Sequence, residues 1–326
     1  MGARGSRTAV VTGATGFLGS AVASHLVAAG WRVRGVIRPG SPRTLPRGVE
    51  QVVATLAADQ LTGPCDGMDV VIHVAGVTKA PSLRRFREVN VEGTRAVAEA
   101  ARRAAARLVH VSSQAVAGPA TLARPAIEED PPNPITSYGV SKGQAEDVVR
   151  SLPGLAWTIL RPSAVYGGGD RAFLPLFRLA RLGVFPLVQD PRAAYTLVHI
   201  DDVARAIELA ATTGGALGAV YFIGAPAPAS AGEFLAALAH AVGRPCRPLR
   251  IPSGVVWAAG MVGECLSRLG RPQNLDISRW REMRAGGFVC SVEKAKRELG
   301  FEAEIVLADG LDRTVRWYVD RGWLKA

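Results

Sequence analysis

Apolar positions along the chain fall into short, nearly unbroken runs separated by segments of helical period. Thr8 to Val11 reads as a first strand. Phe17, Leu18, Val22, Leu26 and Val27 follow at helical spacing and stop at Gly30. Further apolar runs at Trp31–Ile37, Val49–Thr55, Val70–Gly76, Leu108–Val111, Ala156–Leu160 and Val220–Ile223 predict strands. Runs this continuous suit parallel strands covered on both faces. Between them the pattern predicts an alanine-rich helix ending near Ala106 and a helix opening at Tyr138 and running to Ser151. Val198 to Ala204 is a further helix entry.

The junction of the first strand and first helix carries the chemistry of a phosphate cradle. In Thr12-Gly13-Ala14-Thr15-Gly16-Phe17-Leu18-Gly19, Gly13 permits a turn that a Cβ would resist. Gly16 permits close approach to a pyrophosphate, and Gly19 lets the helix sit tightly on the strand. Free N–H groups of the new helix and its dipole then face the phosphates. Strand–glycine loop–helix followed by a second strand predicts an α/β protein with a Rossmann-type doubly wound parallel sheet. The sheet is assigned to residues 1–162 and 201–224. A smaller, mostly helical substrate domain is assigned to 163–200 and 225–326.

The second strand ends at Arg38, where an acidic residue would select NAD and an arginine would meet the 2′-phosphate of NADP. Arg38 points to NADP, with Arg43 as a second contact and NAD as the other choice. The competing reading is a surface arginine before a Pro-Gly loop. The small residues Val74, Ala75 and Gly76 let the fourth strand's end pass under the nicotinamide ribose. His73 reads as packed and structural. Asn90, a poor helix former, is expected to bond backbone at the sheet edge and hold the site.

Ser112-Ser113-Gln114 ends the fifth strand, where such folds place ligands. Tyr138 and Lys142 lie four apart and share one helix face. An ammonium beside the phenol, with the positive ring of an oxidised cofactor, is expected to stabilise a phenolate and lower a pKa that is ordinarily near 10. Ser113 would orient a substrate oxygen, Tyr138 would move a proton and a nicotinamide would move a hydride.

These motifs together resemble the extended short-chain dehydrogenase/reductases, the NAD(P)-dependent epimerase/dehydratase family, over essentially the whole chain. The likeness rests on TGATGFLG, F-x-x-V-N-x-x-G-T from Phe86, Ser113 with Tyr-x-x-x-Lys at Tyr138, R-P-x-x-V-Y-G from Arg161 and V-H-x-x-D-x-A from Val198. The 25-residue interval from Ser113 to Tyr138 is similar to that in UDP-galactose epimerases. The resemblance implies that Pro162 and Ser163 touch the carboxamide, that Asp202 is a structural helix acid, and that Lys142 also holds ribose hydroxyls. It also implies a homodimer through the helices around Val97 and Gln144.

Two departures bear on the reaction. Gln114 and Ala115 stand where the dehydratases of this group carry acids, which argues against dehydration. Tyr195 stands where the UDP-galactose epimerases carry a phosphate-gripping arginine, leaving Arg281 or Arg284 for the family's second phosphate-gripping part. Gln114 and Tyr195 are thus the substrate-contact candidates. Phe173–Pro186 and the chain from about Gly232 onward should choose the substrate. The tail and the apolar middle resemble the 3β-hydroxysteroid dehydrogenase and dihydroflavonol reductase branches. The expected activity is ketone–secondary alcohol interconversion on a fairly apolar small molecule. The alternatives are an NAD-dependent sugar-nucleotide epimerase and a non-catalytic NAD(P)-binding sensor.

The net charge of +11 favours anionic partners, but the arginines are dispersed and no nucleic-acid motif appears. Four cysteines, Cys65, Cys246, Cys265 and Cys290, lack ligand-like spacing and suit a reduced cytoplasmic protein without a metal site. No signal peptide or run of membrane-spanning length is evident. Glu128 to Asp130 reads as a solvated loop. Val255 to Leu269 is apolar on one face and is read as buried packing, ahead of a lid or a membrane contact.

Overall fold

The computed structural model describes residues 6–188, 192–268 and 277–325. The first half alternates strand and helix: β1 (Thr8–Thr12), α1 (Phe17–Ala28), β2 (Arg32–Ile37), β3 (Val49–Val53), α2 (Ala58–Cys65), β4 (Val70–His73), α3 (Leu83–Phe86), α4 (Gly93–Arg103), β5 (Arg107–Val111), α5 (Ser137–Ser151) and β6 (Trp157–Pro162). A wide π turn, Arg87–Glu92, joins α3 to α4 and contains Asn90. The second half runs β7 (Ala164–Tyr166), α6 (Leu174–Arg181), β8 (Val184–Leu187), β9 (Ala194–Tyr195), β10 (Leu197–His199), α7 (Ile200–Thr212), β11 (Ala219–Ile223), β12 (Ala229–Ser230), α8 (Ala231–Ala241), β13 (Arg247–Arg250), α9 (Ser253–Arg268), α10 (Ile277–Arg284), β14 (Gly287–Phe288) and α11 (Leu307–Asp320).

Seven parallel strands form the main sheet in the order β11-β6-β5-β4-β1-β2-β3. Side chains alternate across it, and each face has its own core. Ala9, Val11, Val70, Ile72, Val109, Val111 and Leu160 meet α1 and α7 on one side. Val10, Val71, Leu108 and Ile159 meet α2, α4 and α5 on the other. Covering on both faces is why these strands are almost wholly apolar.

A third core joins α6, β8, α8 and α11. Short strand pairs stitch this part together: β10 with β7, β9 between β12 and β14, and β13 with β8. Of the apolar positions at helical spacing in α6, Leu174 and Phe177 are buried, whereas Leu179 is exposed. Val97 is fully buried against the sheet, so it is not available to a partner subunit. None of the described helices is long and apolar enough to cross a membrane.

Two expectations fail here. Glu128 departs from the solvated run: half-buried, its carboxylate accepts the Phe222 backbone N–H at 2.7 Å and burial raises its pKa, while Glu129 is exposed as expected. Nor is the segment from Val255 packed away. Val255, Trp257, Met261 and Val262 are exposed, and among the described residues of this helix only Val256, Gly260 and Gly263 are buried. Helical periodicity fixes which residues share a face but not what that face meets. The last residue of that predicted segment, Leu269, lies outside the described residues.

Candidate active site

The strand order reverses between β1 and β4, and a crevice opens beyond their carboxyl ends. Gly13 turns the chain there at a φ of 72°. A Cβ on it would lie 2.8 Å from the Ala75 backbone nitrogen, so only glycine lets the loop cross the end of β4. The Gly16 N–H donates to the Gly13 carbonyl at 2.8 Å and closes the turn. Gly16 then caps α1 without any side-chain acceptor. The first N–H groups of α1, from Phe17, Leu18 and Gly19, are left for an anionic ligand.

Two arginines border this loop. Arg38 is exposed just past the end of β2. Arg43 donates to the Thr15 carbonyl at 3.2 Å and lies against the loop itself. A bare cradle, an uncapped helix start and flanking cations fit the phosphates of a dinucleotide. Replacing Arg38 and Arg43 by alanine together is expected to raise the KM for NADPH roughly 10- to 100-fold while leaving that for NADH nearly unchanged, as measured by initial rates.

The end of β4 is tied to α5 by one side chain. The Asn90 carbonyl oxygen accepts the Val77 N–H at 2.8 Å, and its amide donates to the Val77 carbonyl and the Ser141 hydroxyl, both at 2.9 Å. Asn90 therefore bonds backbone as expected, and fixes Val74-Ala75-Gly76 relative to α5. His73 is structural: its ring nitrogens meet the Thr12 hydroxyl at 2.7 Å and the Thr94 hydroxyl at 3.0 Å. Burial, with the Lys142 charge nearby, pushes its pKa down to about 3, so the ring is neutral.

Ser113, Tyr138 and Lys142 converge. Thr136 caps α5, its hydroxyl accepting the Gly139 N–H at 3.1 Å. Gly139 permits the approach of α5 to the turn after Ser113, since a Cβ there would sit 2.5 Å from the Ala115 carbonyl. The Ser113 hydroxyl lies near the Tyr138 phenol and tends to lower its pKa. One helical turn on, the buried Lys142 ammonium donates to the Val111 carbonyl at 2.6 Å.

Burial raises the Tyr138 pKa above its usual value near 10, the Ser113 hydroxyl opposes that rise, and the Glu282 charge adds to it. Lys142 is spent on Val111 and is itself pushed down to about 8 by burial, against the pull of Glu146. In this state the site holds a protonated phenol at neutral pH.

Pro162 ends β6, and Ser163 beside it is buried with a hydroxyl that has no partner among the described residues. The amide nitrogen of buried Gln114 is likewise unpaired among them. Tyr195 stacks on Phe288 at a centroid distance of 6.4 Å. Asp202 is structural, accepting the Glu304 and Ile305 N–H groups at 3.1 and 3.0 Å; His199, not Asp202, caps α7. Arg281 and Arg284 are exposed, and Arg284 lies over the Trp280 ring.

Two residues of this region escaped the motif reading. Glu282 lies between those two arginines and acts on Tyr138. Glu146 follows Lys142 by one turn. It is buried and accepts from the Ser112 hydroxyl at 2.6 Å and from Arg161 through Nε and Nη2 at 2.8 and 2.7 Å. An acid four residues after the motif lysine, facing a strand arginine, was the available signal.

The parallel sheet, the glycine loop and the serine–tyrosine–lysine cluster define an NAD(P)-dependent enzyme of the extended short-chain dehydrogenase/reductase type. The chain belongs to the NAD dependent epimerase/dehydratase family, whose sequence profile matches residues 9–224. It is 34% identical over 324 residues to the ceramide reductase of Caulobacter vibrioides, covering 96% of this chain and 95% of that one. It is 33% identical over 321 residues to the 4-hydroxy-2-methyl-3-oxo-4-farnesyl-3,4-dihydroquinoline-1-oxide ketoreductase of Stigmatella aurantiaca, covering 93% and 94%. The crystal structure of gox2253 superposes with a TM-score of 0.80 at 27% identity, covering 98% of this chain and 99% of that one. MoeE5 in complex with UDP-glucose and NAD gives a TM-score of 0.74 at 26% identity, covering 97% and 99%.

Proposed function

We propose that this protein reduces a ketone on a molecule bearing a long apolar chain to the secondary alcohol, with NADPH as reductant. The observation that carries this reading is the Tyr138 phenol beside Ser113, which burial keeps in its protonated form. A carbonyl that becomes an alcohol needs a proton at its oxygen, and a phenol that retains its proton can give it. Oxidation and epimerisation start instead from a base. The two similar reductases act, by name, on ceramide and on a farnesylated quinoline oxide, and both names specify a long apolar chain.

In this reading Ser113 donates to the substrate oxygen and orients it, while Tyr138 delivers the proton. Gln114 offers its unpaired amide to a neighbouring polar group, and Tyr195 closes the substrate side. Gly13, Thr15, Gly16, Phe17, Leu18 and Gly19 would hold the pyrophosphate, and Arg38 the 2′-phosphate. Val74, Ala75, Gly76 and Asn90 would shape the ribose side, with Pro162 and Ser163 at the carboxamide. The bound nicotinamide supplies the hydride. Lys142 would hold ribose hydroxyls, and its charge, next to the phenol, eases proton loss during the reaction. Residues 1–162 and 201–224 form the cofactor side, and 163–200 with 225–326 the substrate side. A cytoplasmic homodimer through the outer faces of α4 and α5 belongs to the same proposal.

An epimerase of nucleotide sugars is disfavoured by Tyr195 in place of an arginine and by Glu282, an anion that acts on the phenol. The test is a panel of a long-chain ketone, a steroid ketone and UDP-glucose, each with NADPH. NADPH loss matched by alcohol formation is expected with the long-chain ketone. Conversion of UDP-glucose with no net cofactor change would overturn the reading.

A further inference from the structure

The outward face of α9 is the most unusual surface of the molecule. At 100° per residue, Trp257, Met261, Cys265, Ala258, Val262, Val255 and Ala259 succeed one another around about 200° of arc, all apolar and all exposed. Val255 is 58% exposed, Trp257 47% and Val262 60%. The side turned to the protein is the narrow one, Val256, Gly260 and Gly263. A surface helix of a water-soluble protein has the opposite arrangement.

The elements that precede α9 carry further exposed apolar residues. Leu249 lies exposed on β13, and β13 pairs with β8, which follows α6. Leu179 and Leu182, at and just beyond the end of α6, are exposed as well. The charge of these segments is predominantly basic. Residues 171–188 and 243–268, the latter running to the end of α9, contain seven arginines against one acid, Glu264. Of these, Arg178, Arg244, Arg247 and Arg250 are exposed. Isolated exposed apolar residues are ordinary; a contiguous apolar face bordered by cations is not.

We propose that α9 and the basic edge formed by β13 and α6 dock on an anionic phospholipid bilayer. The apolar arc enters the headgroup–acyl boundary, with Trp257 at the interface, and the arginines meet lipid phosphates. A second copy of this chain would carry the same positive edge and be repelled by it, whereas an anionic bilayer complements both the charge and the apolar arc. The surface is coupled to the reaction site through α10. The Trp280 indole N–H donates to the Ser253 carbonyl at the start of α9 at 3.2 Å, and Glu282 on the same helix acts on Tyr138. A water-insoluble ketone would thus reach Tyr138 from the bilayer side.

The docking inference goes beyond ketone reduction and stands without it, because vesicle binding is read with no substrate present. The full-length protein is sedimented with vesicles of phosphatidylcholine alone or mixed with phosphatidylglycerol. Binding is expected only to the anionic vesicles and should weaken as salt is raised. Replacing Arg247 and Arg250 by glutamine should lower the partition coefficient about 30-fold. Trp257→Glu with Val262→Glu should lower it at least about tenfold, with the melting temperature retained. Absence of binding to anionic vesicles at low salt overturns the proposal. So does equal binding by the arginine variant, or a dimer seen by light scattering that Trp257→Glu with Val262→Glu dissolves.

Discussion

Replacing Tyr138 by phenylalanine is expected to lower kcat for ketone reduction by about 10²- to 10⁴-fold, the range that a positioned general acid contributes. The phenol hydroxyl is what the substitution deletes; the ring and its packing stay. Ser113 keeps a partner, since its hydroxyl also accepts the Ala115 N–H at 3.2 Å. Cofactor affinity should change little, because the glycine loop and the two arginines are untouched. Steady-state rates, NADPH binding by fluorescence and a thermal melt separate these effects. A variant that lost cofactor binding and folding together with rate would point to a structural tyrosine instead.

The largest effect on stability is expected at Glu146. Glu146→Ala should cost about 3–5 kcal/mol in chemical denaturation, the range for removing one partner of a buried ion pair. Arg161 is buried beneath the site, and its Nη1 already lacks a partner among the described residues. Without the carboxylate its charge is left uncompensated. The double variant Glu146→Met with Arg161→Met should recover most of the loss, since an apolar pair of similar size carries no desolvation cost. The deletion should also reach the chemistry. The Glu146 carboxylate favours the charged form of Lys142, which titrates at about 8. Glu146→Gln, which keeps the shape, should therefore lower that pKa and move the alkaline fall in activity to lower pH. An unchanged pH profile would confine Glu146 to a structural part.

Much of this was legible in the residues because the main sheet is covered on both faces. Continuous apolar runs then mark its strands directly, and β1, β4, β5 and β6 appear within a few residues of where the runs lie. The glycine loop was legible for a different reason: Gly13 faces a steric limit set by Ala75, and only one residue type meets it. Partnerships fixed by tertiary packing were not legible. The two-residue strands β9, β12 and β14 have no periodicity of their own. Glu128 looked like part of an acidic loop because nothing local announces the Phe222 N–H that it caps. The bond from the Lys142 ammonium to the Val111 carbonyl was not legible either, a partnership that only the packed structure reveals. The outward face of α9 was misplaced because an apolar stripe records a preference for leaving water, whether into a core or into lipid.

The most direct measurement is isotope transfer. The protein is incubated with NADPH carrying deuterium at both C4 positions and a long-chain ketone, and the alcohol is analysed by mass spectrometry. The account predicts one deuterium at the carbinol carbon for each NADPH consumed, at a rate that falls in step with kcat in Tyr138→Phe. Alcohol formed without the label, or transfer at the native rate in Tyr138→Phe, would contradict it.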